Sequence, residues 1–158
     1  MTPAANRRAF LDALAFSELG MGLLSVSNNG YNVIVGSTPQ APILFDSYAD
    51  HPRKSVWIPR IKDYSTAAGR YQVLEKYFDA YKRTLSLPDF GPVSQDRIAL
   101  QLIRECRALD DIDNGRFTSA IYKCRSRWAS LPGAGYGQNE RSVDSLVAAY
   151  LRAGGEVT

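Results

Sequence analysis

Apolar residues recur at intervals of three and four near the amino terminus, where Phe10, Leu11, Leu14 and Ala15 share one helical face. Thr2 can cap this helix, and Pro3 sits at the first helical position, where a missing N–H costs nothing. Gly20 and Gly22 end the pattern. From about Ser25 to Lys62 the period changes. Asn28-Asn29-Gly30 signals a turn, and the alternation over Tyr31-Asn32-Val33-Ile34-Val35-Gly36 predicts a strand. Ile43-Leu44-Phe45 predicts a second short strand, and Tyr48 to Arg60, with Pro52 and Pro59, reads as an ordered loop.

The helical period then returns. Ser65 or Thr66 can cap a helix striped by Tyr71, Leu74, Phe78, Tyr81 and Leu85, although Gly69 in its first turn costs about 1 kcal/mol relative to alanine. Ser94 can cap the next, with Ile98, Leu102, Cys106 and Leu109 inward. Ala120, Ile121, Cys124 and Trp128 predict a third, closed by Pro132-Gly133. Ser142 can cap the last, which carries Val143, Leu146, Val147 and Tyr150 up to Gly154-Gly155. The expectation is one α+β domain over residues 1–158, a mostly helical body with a small β region.

Composition narrows the class. A hydrophobic content of 45% and a charged content of 22% in 158 residues suit a globular domain with a substantial core. The net charge of +3 favours approach to an anionic polymer without choosing among cell wall, nucleic acid and membrane. No Lys/Arg block of a nucleic-acid arm occurs, so no nucleic-acid partner is expected. No apolar stretch follows Met1–Arg8, and Leu19 to Val26 is shorter than the roughly 20 residues of a membrane span. These features predict a protein made in, and first remaining in, the cytoplasm without membrane insertion. Cys106 and Cys124 read as free thiols in apolar helical patterns, and a single histidine without a Cys-x-x-Cys pair predicts no metal and no cofactor.

The chemistry points first to Glu18, which shares a helical face with Phe10 and Leu14. A carboxyl at the edge of a core and the end of a helix keeps its proton, because desolvation and the helix dipole both disfavour the anion. A neutral carboxylic acid is what a general acid in glycosidic cleavage requires. Between Leu19 and Phe45 there is no Asp or Glu, and Asp46 and Asp50 are the next acids along the chain. Most glycoside hydrolases use two carboxyls, so the gap weights a single-carboxyl mechanism, while Asp46 or Asp50 could still fold back. Ser65 to Gln72 offers further groups: Gly69 for close approach of a ligand or another backbone, Arg70, Tyr71 with a face for a sugar ring, and Gln72 with donor and acceptor. Ala129 to Gln138, with three glycines around Ser130, Tyr136 and Gln138, reads as a mobile loop beside a cleft. Asp50-His51-Pro52-Arg53 reads as a structural loop, since no nucleophile elbow or second histidine accompanies it.

These pieces, in order, resemble the lambda-type phage endolysins, a branch of the lysozyme superfamily. The matching segments are Arg8-Ala9-Phe10-Leu11-Asp12 with Ala15-Phe16-Ser17-Glu18, Gly30 to Gly36, Asp50 to Lys54, Ala68 to Gln72, and Trp128 to Gln138. The resemblance implies a lysozyme-like α+β fold with a glycan cleft, and peptidoglycan strands as the partner. It implies lytic transglycosylase activity: Glu18 protonates the oxygen between N-acetylmuramic acid and N-acetylglucosamine, then takes the proton of the muramoyl C6 hydroxyl as a 1,6-anhydro ring closes. Tyr136 would lie near the acid, and a separate holin would open the way to the wall. A monomer is expected. The family places glycine after the glutamate, whereas Leu19, Met21, Leu23 and Leu24 stand here, which puts the local sugar contacts in doubt. The rival readings are a muramidase using Asp46 or Asp50 as second carboxylate, and a non-catalytic wall-binding module.

Overall fold

A computed structural model of the chain describes residues 2–135 and 140–158. Helix α1 spans Pro3–Val26 and the hairpin strands β1 and β2 span Val56–Ile58 and Asp63–Ser65. Helices α2 to α6 then cover Glu75–Leu85, Pro92–Glu105, Leu109–Asp113, Phe117–Cys124 and Val143–Arg152. The residues form two compact units: one comprises the chain up to Glu18 with Ala99–Thr158, the other Leu19–Ile98.

In the first unit, α1 begins as its sequence demands, with Pro3 as the first helical residue. Phe10 and Leu14 are fully buried, each contributing about 2 kcal/mol by leaving water. Phe10 meets Phe117 edge-on at 5.6 Å, and Phe117 stacks on Tyr150 at 4.4 Å, which joins α1, α5 and α6. The buried amide of Asn6 donates to the Ile112 carbonyl (3.1 Å) and accepts from the Glu156 N–H (3.1 Å), so α1 is tied to α4 and to the C-terminal segment. Ser142 caps α6 by accepting from Ser145 N–H at 3.2 Å, as its sequence position predicts.

Several elements depart from expectation, most of them in the second unit. Helix α1 does not stop at Gly20. That residue leaves helical geometry (φ 75°, ψ 161°), which only glycine adopts without strain, and the helix resumes to Val26. Leu19 and Leu23 pack with Val33 and Leu24, so the apolar segment is core of this unit. A Cβ at Gly30 would stand 2.7 Å from Leu19 Cδ1 and 2.9 Å from Leu24 Cδ2, which explains glycine there. Although α1 is apolar and long enough to cross a bilayer, half of its apolar window is buried within the protein.

The predicted strand at Tyr31–Gly36 forms no ladder. Its backbone alternates between two short neighbours: Ile34 N–H donates to Ile43 (2.8 Å) and Val35 N–H to Ala67 (3.0 Å), leaving single bridges Val33↔Leu44 and Ile34↔Ala68. The antiparallel hairpin instead has β1 within the predicted loop and β2 just beyond it, ending on the Ser65 expected to cap a helix; it pairs Val56 with Ser65, Trp57 with Tyr64 and Ile58 with Asp63. Pro59 breaks no strand because it stands in the connecting turn, closed by Lys62 N–H to the Pro59 carbonyl at 3.2 Å.

Helix α2 starts at Glu75, about ten residues later than predicted. Gly69 (φ 81°) and Gln72 (φ 51°) take left-handed geometry that interrupts any helix. The N-cap position falls to Leu74 and not to Ser65 or Thr66, although Thr66, nine positions earlier, accepts the Glu75 N–H at 3.1 Å from outside the helix. Ser94 lies inside α3 and donates to Asp89 (2.8 Å), which also accepts the Gly91 N–H (2.9 Å) before the helix. The stripe continuing to Leu109 is cut at Arg107 (φ 56°), after which α4 begins. Trp128 falls beyond the end of α5 at Cys124.

Candidate active site

Glu18 stands two residues before the break at Gly20, at the end of the first straight segment of α1. Its side chain is half-buried, so it keeps a surface edge while its carboxyl is largely stripped of water. Ser130 Oγ donates to Glu18 Oε1 at 3.0 Å, and Ser17 Oγ lies 2.8 Å from Ser130 Oγ. Because Ser130 spends its hydrogen on the carboxyl, Ser17 must be the donor to Ser130. The order Ser17 to Ser130 to Glu18 marks Oε1 as an acceptor and leaves the acidic proton to Oε2. Burial pushes the Glu18 pKa from 4.5 up to about 7, while the Ser130 hydrogen bond and the Arg141 cation pull it partly back.

Arg141 belongs to the same constellation. Its Nε donates to the Ser17 carbonyl (3.3 Å), its guanidinium lies 5.3 Å from the Phe16 ring, and its backbone N–H closes on the Ser130 carbonyl (2.9 Å). That last bond ties together the two ends of the glycine-rich loop. Glu140 accepts the N–H groups of Gly133 (2.9 Å) and Gly135 (3.0 Å), and these bonds hold its carboxyl below the ordinary glutamate range. The loop is thus anchored on the residues that touch the candidate acid. Tyr136 and Gln138 lie outside the described residues.

The other predicted contacts fall in the second unit. Tyr71 is only 2% exposed and donates to Asp96 Oδ1 at 2.6 Å, an acceptor it shares with Tyr31 (2.9 Å). Arg70, 5% exposed, lies against both tyrosine rings (5.2 and 5.7 Å) and donates to the Asn29 carbonyl at 3.1 Å. Gln72 donates to the Gly69 carbonyl (2.8 Å), and Ser65, at the end of β2, accepts the Ala67 N–H (3.2 Å). Asp50 is engaged by Arg53 at 2.9 and 3.3 Å, which lowers its pKa. Asp46 is exposed.

His51 serves the loop's structure. Its Nδ1 accepts the Arg53 N–H (3.0 Å), so its Nε2 carries the hydrogen given to the Val73 carbonyl (2.9 Å). Its ring packs against both Phe78 and Phe90, which also touch each other. Burial depresses its pKa and keeps it neutral.

A family model described as Endolysin matches residues 8–157. The chain belongs to the endolysin family.

Two relatives carry that description: the endolysin of Escherichia phage lambda, 52% identical over 154 residues, and that of Escherichia phage P2, 50% identical over 154. The first alignment covers 96% of this chain and 93% of the relative, the second 95% and 93%. Among solved structures, bacteriophage lambda lysozyme complexed with a chitohexasaccharide superposes with a TM-score of 0.89 at 51% identity, covering 98% of this chain and 97% of that one. Another structure of the lambda lysozyme gives 0.83 at 49% identity with the same coverage. The fold of this endolysin is therefore lysozyme-like α+β, and the protein is a wall-degrading enzyme of phage type.

Three residues of this endolysin escape a reading by sequence: Ser17 and Arg141 of the constellation at the carboxyl, and Glu140, which holds Gly133 and Gly135. Ser17 directly precedes Glu18, yet adjacency in a helix turns it about 100° away, and only Ser130, 113 positions on, makes it a neighbour. Ser130→Ala should move the high-pH limit of wall lysis upward, because the hydrogen bond that favours the Glu18 anion is lost. A pH–rate profile on purified wall measures this, and an unmoved limit would show that the contact has no part in the acid's titration.

Proposed function

We propose that this endolysin is a lytic transglycosylase that cleaves between N-acetylmuramic acid and N-acetylglucosamine with Glu18 as its acid and then its base. The observation that carries the reading is the Glu18 carboxyl, held protonated to about pH 7 by its burial against the opposing pull of the Ser130 hydroxyl and the Arg141 cation. A group whose pKa lies near the operating pH can both give and take a proton. In the first step the Oε2 proton passes to the glycosidic oxygen and the bond to C1 of the muramoyl ring breaks. In the second, the carboxylate removes the hydrogen of the C6 hydroxyl, whose oxygen closes on C1. Ser130 donates to Oε1 in both states and steadies the anion between the steps.

Supporting features are spread along the chain. No acid occurs from Leu19 to Phe45, and Asp50 is committed to Arg53, so the reading draws on one carboxyl alone. The lambda lysozyme of the same fold is complexed with a chitohexasaccharide, which favours a glycan strand as ligand. Glu18 and Ser130 are the proposed glycan contacts of the first unit, and Tyr136 and Gln138, which follow Ser130 in the sequence, are proposed with them. We further propose that the enzyme accumulates as a monomer in the host cytoplasm and reaches the wall through a holin.

A muramidase using Asp46 would add water to C1. Digestion of purified peptidoglycan in isotope-labelled water, followed by mass spectrometry of the muropeptides, separates the two. Anhydro ends without label are expected. Labelled reducing ends would overturn the transglycosylase reading in favour of the muramidase.

A further inference from the structure

Cys106 and Cys124 take no part in the chemistry above, yet the first unit places them together. Cys106 follows α3 in its closing turn, its N–H bonded to the Leu102 carbonyl at 3.0 Å, and it is half-buried. Cys124 ends α5 and is fully buried. The flanking residues on both sides are joined. Lys123 Nζ donates to the Arg107 carbonyl at 3.2 Å, and the Arg127 guanidinium meets the Glu105 carboxylate at 3.4 Å. Between these two ties the Cys106 and Cys124 thiols interact with each other, with Arg127 and Ser126 also beside Cys106.

We propose that Cys106 and Cys124 form an oxidation site that takes a disulfide of the glutathione class and becomes an internal disulfide, Cys106 attacking and Cys124 resolving. The two sulfurs differ in the sense this order requires. Cys106 reaches the surface, and its pKa is lowered to about 7 by the Cys124 hydrogen bond, with Arg127 and Ser126 adding to it. Cys124 is enclosed, and the Cys106 hydrogen bond together with burial pushes its thiol up.

The exchange balances. The Cys106 thiolate bonds to one sulfur of the small disulfide, whose S–S bond breaks and releases one thiolate. Cys124 loses its proton to solvent and attacks Cys106 Sγ, and the second small thiolate leaves. The protein gives up two electrons and two protons, and one disulfide is reduced to two thiols. Cys106 stands in a turn, so its sulfur can close the remaining distance to a bond of about 2 Å without unwinding a helix interior. A protein made where thiols stay reduced would acquire this link only in an oxidising compartment. The bond would pin α5 to α3 in the unit that carries Glu18.

The test uses the full chain, incubated with oxidised glutathione under native conditions, then alkylated and mapped by mass spectrometry. A peptide pair linked through Cys106 and Cys124 is expected, with no thiol left to alkylate and a Tm raised by about 5–10 °C, reversed by a reductant. Cys106→Ser should take up no glutathione, and Cys124→Ser should retain it as a mixed disulfide at Cys106. Two titratable thiols after incubation, or a lasting glutathione adduct on the native chain, would overturn the proposal. Both results are read on the unmutated protein and need no lytic activity.

Discussion

Glu18→Gln should lower the rate of lysis of purified wall by about 10³-fold, the scale of a lost general acid–base catalyst, while the fold persists. Glutamine keeps the shape of the side chain and an oxygen for Ser130, but has no proton to transfer. Stability should change in a direction that identifies the cause. The Glu18 pKa is raised to about 7 from 4.5, so between these pH values the folded protein holds a proton that the unfolded chain has released. Stability therefore falls as pH rises through that window, by about 3 kcal/mol in all. The glutamine variant cannot ionise and escapes this loss. It should melt above the native protein at pH 8 and show no such advantage at pH 4, as calorimetry would register. Lysis that survives the substitution would remove Glu18 from the mechanism and assign the proton transfer to another group.

Gly69→Ala should be among the most destabilising single changes in the second unit, costing about 3–5 kcal/mol and lowering Tm by about 10 °C. Gly69 has φ 81°, and an added Cβ would lie 2.3 Å from Gln95 Oε1, 2.8 Å from Gln95 Cδ and 3.1 Å from Phe90 Cζ. Gln95 cannot step aside. It is fully buried, accepts the Arg70 N–H at 2.9 Å, and donates to the carbonyls of Tyr31 (3.0 Å) and Phe90 (2.8 Å). Moving it strands three buried backbone groups at about 1–3 kcal/mol each. Gln95→Ala should be comparably costly for the same reason. The double variant should lose less than the two single losses combined, by about 1–2 kcal/mol, because the alanine at 95 vacates the space that the new methyl needs. Strict additivity in thermal melts would show that the two positions do not share one cavity.

Gly69 also shows where a linear reading stops. From the sequence it invites a ligand or a helix start, and both ideas follow from its missing side chain. The structure uses that vacancy for the Gln95 amide, 26 positions away. Tyr71 and Arg70 behave alike: an aromatic and a guanidinium suit a sugar surface, yet here Tyr71 is drawn inward to Asp96 and Arg70 to the tyrosine rings. A polar side chain does not announce whether its partner is a substrate or the protein. Local punctuation reads more directly. Pro3 and Ser142 act at their helix starts, and Asn28-Asn29-Gly30 turns with positive φ at Asn29 and Gly30.

By itself the sequence determined the features that depend on near neighbours: the helical stripe placing Glu18 in line with Phe10 and Leu14, the caps, the turn residues, and the acid-free run after the glutamate. Tertiary structure alone decided which stretch pairs as a hairpin, where α2 begins, and which residues surround the carboxyl. Strand pairing at Tyr31–Gly36 turned on what lies on each side of the segment. The pKa of Glu18 turned on desolvation and on Ser130 and Arg141, both more than a hundred positions away. Periodicity and capping act within a turn or two of the chain, whereas burial and electrostatics act through space.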